Sequence, residues 1–339
     1  MVWDCAVNLR FKTNIQLDQG IDLEKGQETT MTSVFIIVVI IALLMTISTK
    51  RRRTAITKSL FYFINCLEAK RAGLSCYSRL IDGLEVFYLS NTQDFNADKP
   101  VLVLLHGFSG DNYVWNRFAK RFSADFQLLI PDLKGHGKTA YDPNDNYSVP
   151  SQCRMLIGLV DQLQIKRFSV VGNSMGGLMA AKLIVDIPER VEKSVLIDPA
   201  GAKSAYAQHL VETQVNPFAH QVEQDFFDFY DRIMSKPPYV PIFILRALAR
   251  QYIAKREQYS HMFKQFFDLQ DFYSIEHRFD YPNAMLIWGL NDKLLPVADY
   301  THWRTMLNPT THIYEDLGHM PMVEDVKRVS KDILSFLRT

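Results

Sequence analysis

Cysteine is scarce in this 339-residue chain: four residues (Cys5, Cys66, Cys76, Cys153), widely spaced, with no C-x-x-C pair and no nearby histidine at metal-ligand spacing. That pattern argues against a disulfide framework and a thiolate metal site. It fits free thiols in a reducing compartment, with a Cys66–Cys76 bridge as the alternative. Excess charge is missing as well. With 38 Lys and Arg against 37 Asp and Glu, the net charge is +1, and nothing global points to nucleic acid or a polyanionic partner. No G-x-x-x-x-G-K-[ST], G-x-G-x-x-G or H-E-x-x-H occurs, so nucleotide and zinc chemistry lack support. What remains is an ordinary globular composition, 47% apolar and 22% charged, in a chain long enough for a sizeable core.

Residues 1–30 read as a polar N-terminal tail, and Met31 offers an alternative translational start. From Met31 to Thr49 the nineteen residues carry no charge, and Lys50-Arg51-Arg52-Arg53 follows at once. Nineteen helical residues rise about 28 Å, enough to span a hydrocarbon core. A buried core helix and a cleaved secretory signal are the alternatives. The cations follow the apolar run rather than precede it, and no A-x-A-like cleavage site is visible, so 31–50 is expected to be a single-pass transmembrane anchor. The positive-inside rule then puts the bulk of the chain on the cytoplasmic side. Residues 51–78 read as a basic, amphipathic linker. Ile56, Leu60, Phe61, Phe63, Ile64 and Leu67 gather near one helical face, which suits either a membrane surface or packing on the domain itself.

Leu80 to Leu89 carries a hairpin signature, with Asp82-Gly83 as the turn. From there strands and helices alternate. Strands are expected at Val101–Leu105, Gln127–Ile130, Phe168–Val171 and Val191–Ile197, with helices at Tyr113–Phe122, Ser148–Leu163 (Ser148 or Ser151 as N-cap) and after Ser174. The alternation resumes with a strand at Ala284–Trp288, a helix near Val297–Met306, a strand at Thr311–Tyr314 and a helix from about Val323 to Leu337. Such βαβ order implies a mostly parallel sheet covered on both faces. Between 202 and 278 the pattern gives way to aromatic-rich helical sequence, read as a helical cap inserted into a core formed by 79–201 and 279–339.

The chemistry centres on Gly172-Asn173-Ser174-Met175-Gly176, a G-x-S-x-G between an apolar strand and a helix. A serine on such a strand-to-helix turn is pushed out of the sheet, next to the free N–H groups that open the helix. The alternative is a serine in a plain glycine-rich turn. Acyl transfer also needs a base, a carboxylate to orient it, and two oxyanion donors. Asp292 follows the strand after the insertion and His319 follows the last strand. The N–H groups of Phe108, in His106-Gly107-Phe108, and of Met175 would complete the oxyanion hole. Asp198, also at a strand end, is the rival carboxylate. His136 reads as structural, and His106 as the residue that orients the oxyanion loop. His209, His220 and His261 fall in the insertion with no acidic partner at diagnostic spacing.

These stretches resemble a known family. His106-Gly107-Phe108-Ser109-Gly110, Gly172 to Gly177, Asp198-Pro199-Ala200-Gly201 and Gly318-His319-Met320-Pro321 with Glu324 are similar to those of α/β-hydrolase lipases. Moraxella-type bacterial lipases and membrane-bound monoacylglycerol lipases are the nearest types, over about residue 80 to the C-terminus, and Asp228–Pro241 resembles the Moraxella-type cap. The resemblance implies an α/β-hydrolase fold and hydrolysis of acylglycerols or related lipid esters through an acyl-enzyme. It implies no cofactor, no metal and no obligate protein partner. Ser174, Asp292 and His319 would form the triad. The N-terminus departs from the bacterial type, since no lipoprotein cysteine follows the apolar run. Two alternatives stay open: a C–C bond hydrolase of the meta-cleavage-product type, and a hydrolysis-dead ligand-binding member.

Overall fold

A computed structural model describes residues 50–95, 99–202, 204–213, 215–266 and 281–339. The expected anchor, 31–50, lies outside the described residues except for Lys50, as does the tail before it. Among those that are described, no helix is long and apolar enough to cross a membrane. The chain divides after Ile56, and the sheet and site lie wholly in Thr57–Thr339.

In chain order the elements are α1 (Lys50–Arg71), β1 (Ser75–Ile81), β2 (Leu84–Ser90), β3 (Val101–Leu105), α2 (Asn116–Ala119), β4 (Gln127–Pro131), α3 (Val149–Gln162), β5 (Phe168–Asn173), α4 (Met175–Asp186) and β6 (Val191–Ile197). Four helices follow before the next strand: α5 (Ala205–Thr213), α6 (Glu223–Ile233), α7 (Ile242–Ala254) and α8 (Arg256–Phe266). The chain closes with β7 (Ala284–Gly289), α9 (Ala298–Leu307), β8 (Thr310–Tyr314), α10 (Pro321–Glu324) and α11 (Val326–Arg338). The described strands form one eight-stranded sheet in the order β1-β2-β4-β3-β5-β6-β7-β8. The β1–β2 and β2–β4 pairs are antiparallel and the rest parallel.

Alternation along each strand divides the core. Leu102 and Leu104 of β3 face one layer with Phe118, Phe122, Val329 and Ile333. Val101, Val103 and Leu105 face the other, with Leu156, Leu159 and Leu178. A period of two on a strand buried on both faces requires this split. The C-terminal halves of β3 and β6 are therefore apolar, and the site residues Ser174 and Asp198 come just after strand ends.

Several boundaries differ from expectation, each for a visible reason. The hairpin turn has positive φ at both Asp82 (47°) and Gly83 (84°), which matches the twist of the flanking strands. β1, however, begins at Ser75, inside the stretch 51–78 expected to be linker, because its ladder to β2 runs from Ser75–Ser90 to Ile81–Leu84. α1 packs on the domain through buried Leu60, Ala69 and Ala72, while Phe63 and Ile64 stay exposed. The expected helix Tyr113–Phe122 is a 3-10 turn (Asn112–Trp115) followed by α2, with Asp111 capping Tyr113 N–H at 3.0 Å. Ser148 precedes α3 but makes no side-chain cap. The expected C-terminal helix is two helices, because the Asp325 carboxylate accepts Arg328 N–H and restarts the chain as α11. Cys66 is not in a disulfide, so the Cys66–Cys76 bridge does not form.

One close approach fixes the packing of α4 on the sheet. A Cβ added at Gly176 would overlap the Leu105 carbonyl of β3. Gly176→Ala is expected to destabilise the protein by about 1–3 kcal/mol, the cost of overpacking a rigid contact. A lowered urea midpoint with an unchanged m-value is the readout.

Candidate active site

Ser174 sits between β5 and α4 with φ 56° and ψ −115°, a conformation that L-residues avoid. Hydrogen bonds hold it there. Ser174 N–H donates to Ile197 O at 3.0 Å, and its carbonyl accepts from Leu178 N–H (3.1 Å) and Ala200 N–H (3.0 Å). β6 thus grips the turn on both sides of Ser174. Met175 is the first residue of α4, and its N–H belongs to the free set at the helix start. The loop after β3 runs against the same point: a Cβ on Gly107 would stand 3.1 Å from Ser174 Cβ.

His319 and Asp292 are brought together. His319 Nδ1 lies 2.6 Å from Asp292 Oδ2, with both side chains almost fully buried. The other oxygen of Asp292 accepts Leu294 N–H at 2.7 Å and Leu295 N–H at 2.9 Å. Those two amides fix the carboxylate as a turn does, and its remaining oxygen is presented to the ring. With Nδ1–H facing the carboxylate, Nε2 is left as the basic nitrogen.

Asp198 does not reach His319 in this way. It is fully buried at the end of β6 with φ 41°. Its Oδ1 accepts Gly289 N–H at 2.9 Å. The ligand atoms of Asp198, Asp292 and His319 lie within 4.8 Å of one another, a donor set that suits a cation by type. The 2.6 Å between His319 Nδ1 and Asp292 Oδ2 is a hydrogen-bond distance, shorter than the spacing of two ligands around one ion bound at about 2 Å.

His106 orients the loop after β3, as expected. Its Nδ1 meets Gly107 O at 2.8 Å and its Nε2 accepts Leu133 N–H at 3.1 Å, linking the ends of β3 and β4. Burial lowers its pKa to about 4, which keeps the ring neutral and able to accept. His136 packs beside it, its pKa also pushed down by burial, and bonds through Nδ1 to Lys134 O at 2.9 Å. Phe108 is buried, its ring 4.7 Å from Phe218 and 5.5 Å from Phe266. Of the insertion histidines, His220 is buried among Phe226, Phe229 and Tyr252, and His261 bonds Tyr141 at 3.1 Å.

Two residues that the sequence reading left without a role tie the site together. Asn173 Nδ2 donates to His319 O at 2.9 Å and to Ile197 O at 3.1 Å, joining the elbow to the histidine loop. Glu324 receives Gly318 N–H (2.9 Å) and Met320 N–H (3.4 Å) on one oxygen, and Ser235 N–H (2.8 Å) and Lys236 N–H (2.7 Å) on the other. Asn173 lay inside the G-x-S-x-G, and Glu324 three residues beyond Pro321. Neither position signals by type alone that its partners are backbone groups distant in sequence.

A cavity of about 370 Å³ opens beside the site. Phe61 and Ile64 of α1, Phe229 of α6 and Ile244 of α7 line it, and Ser109 and Met320, the neighbours of Phe108 and His319, share its wall.

Residues 100–326 match a family described as the alpha/beta hydrolase fold. Lipase 3 of Moraxella sp. (strain TA144) is 27% identical over 265 residues, 76% of this chain and 82% of that lipase. Monoacylglycerol lipase ABHD6 of Homo sapiens is 26% identical over 255 residues, 70% of this chain and 75% of its own. A membrane phospholipase A, described as a bacterial virulence factor, superposes with a TM-score of 0.75 at 26% identity over 92% of this chain and 98% of that one. A meta-cleavage product hydrolase superposes at 0.62 with 22% identity, covering 78% and 98%, a likeness of fold alone. By the family match over residues 100–326, the chain belongs to the α/β-hydrolase family.

Proposed function

We propose that this protein is a serine ester hydrolase acting on acylglycerols or related lipid esters. The observation that carries the reading is the buried 2.6 Å pair of His319 and Asp292, set beside a serine in a strained strand-to-helix turn. His319 Nε2 takes the Ser174 proton as Oγ attacks the acyl carbon, and Asp292 stabilises the imidazolium that forms. Phe108 and Met175 N–H groups hold the oxyanion. The alcohol leaves with the proton from His319, and water then releases the acid by the same steps in reverse.

Lipid as the substrate class is supported by the apolar lining of the adjacent cavity and by the names of the relatives. The cavity's volume lies within the ~300–1,000 Å³ range of small-molecule sites. We read the helices within 202–278 as a cap over the core that supplies part of this wall. A bilayer setting is supported by exposed apolar side chains near the cavity. Ile64 (37% exposed) and Tyr239 (90%) belong to its lining, Phe63 (52%) precedes Ile64, and Ile242 (56%) follows the lining residue Pro241. With the uncharged run Met31–Thr49 and the cations after it, these features fit a single-pass anchor that holds the catalytic domain at the cytoplasmic surface.

A fluorophosphonate probe is expected to label the wild type and leave Ser174→Ala unlabelled; equal labelling of both, or of neither, sinks the serine mechanism. Ser174→Ala should also lower turnover by a factor of ~10³ to 10⁶. A series of p-nitrophenyl esters assayed beside a meta-cleavage dienoate separates ester from C–C hydrolysis, and the expected result is turnover of the esters only. Truncating the chain before Lys50 and changing Ile64 and Tyr239 to Asp should weaken binding to anionic phospholipid vesicles, while hydrolysis of a soluble short-chain ester is retained. Unchanged vesicle binding argues against the bilayer-facing reading.

A further inference from the structure

Asp198 is a buried carboxylate that the proposed reaction does not use. Its Oδ1 is satisfied by Gly289 N–H at 2.9 Å, but its Oδ2 is buried with no donor facing it. Its neighbour is Asp292: a carboxylate oxygen of each and a ring nitrogen of His319 all lie within 4.8 Å of one another. Asp198 N–H is fixed to Ile287 O at 2.9 Å, and φ is held at 41°. Next to it, Asp292 has Leu294 and Leu295 N–H groups on Oδ1 and His319 on Oδ2. Two acceptors therefore face each other in a dry site, and one of them must carry a proton.

The charge balance says which. Asp292 has two backbone amides and an imidazole N–H to stabilise its anion, whereas Asp198 has a single amide. Burial first, then the Asp292 charge and the more distant Glu324 charge, push the Asp198 carboxyl well above the usual range. We propose that Asp198 is a positioning residue, a neutral carboxylic acid that donates its hydrogen bond to Asp292 and holds that carboxylate against His319. It does not touch substrate. Its Oδ1 accepts from Gly289 and its Oδ2–H donates to Asp292, so the vacant oxygen and the crowded carboxylate answer each other. The orphaned oxygen is a donor once its proton is counted.

This role rests on the serine-hydrolase reading for its kinetic consequence, but the proton itself can be read independently. Asparagine reproduces the proposed pattern: a carbonyl toward Gly289 N–H and an N–H toward Asp292. Asp198→Asn is therefore expected to keep kcat within about threefold of wild type. Asp198→Ala, and the larger apolar Asp198→Leu, are expected to lose tenfold or more in kcat with little change in KM, since only the orientation of the base is affected. Circular dichroism and the thermal midpoint establish that each variant is folded. In parallel, the infrared difference between wild type and Asp198→Asn should show loss of a protonated, buried carboxylic acid band at neutral pH. If Asp198→Asn falls as far as Asp198→Ala while still folded, or if the difference shows a lost carboxylate band instead, Asp198 is ionised and the proposal is wrong. A wild type that hydrolyses no ester but shows the acid band would refute the enzymatic reading and leave the Asp198–Asp292 hydrogen bond standing.

Discussion

The site depends on a backbone conformation that Ser174 does not favour. A non-glycine residue in such a φ/ψ region costs of order 1–3 kcal/mol, and persists only where its surroundings over-determine it. Here the turn is gripped through Ile197 on one side and Ala200 and Leu178 on the other. It is also closed in by two backbone approaches, Gly172 on Gly176 and Gly176 on Leu105, each too near for a Cβ. The left-handed residue is the serine itself, and neither of its flanking glycines has positive φ. Glycine is needed there for closeness rather than for its dihedral freedom.

With the turn in place, the second constraint is charge. Asp292, Asp198 and Glu324 stand around the His319 loop, and each is held by backbone N–H groups. Two amides serve Asp292, one serves Asp198, and four serve Glu324. Amides at fixed positions do not titrate and lose little entropy on pairing, whereas a lysine would bring both a mobile charge and a long side chain to order. The unequal supply of amides separates the roles of the carboxylates. Asp292, with two amides, presents its other oxygen to His319, and Asp198, with a single amide, is driven to its neutral form.

The sequence exposed those parts of the molecule whose signal is local. A buried strand in a doubly covered sheet is a short apolar run, so β3, β5, β6 and β7 were legible to within a residue or two, and the residues at their ends followed. Asp292 was preferred on its loop, with Asp198 kept as a rival because both follow strands of the same parallel sheet. Only the hydrogen bond to His319 Nδ1 distinguishes them. The Asp325 break between α10 and α11 was hidden because the apolar positions on either side continue a helical period. α1 read as one apolar face, yet packing buries Leu60 and leaves Phe63 and Ile64 outside. A helical stripe does not say which part of itself a neighbour covers. Asn173 and Glu324 were invisible as connectors, since what they hold are main-chain groups that any residue could supply.

Those connectors have a mechanical consequence. His319 N–H donates to Ile233 O at 3.0 Å, and Glu324 holds Ser235 and Lys236 with the same carboxylate that holds Gly318 and Met320. Lys236 also pairs with Asp316 at 2.5 Å, before the histidine loop. The corner between α6 and α7 is therefore tied to the histidine loop directly at His319 N–H and, on either side, through the Glu324 and Asp316 carboxylates. Pulling this corner away would break several of these hydrogen bonds together and would disturb His319 as it went. The α6–α7 corner and the base behave as one body. Any opening of the cavity that leaves the histidine in register must come from elements other than this corner, such as α7 or the wall shared with α1.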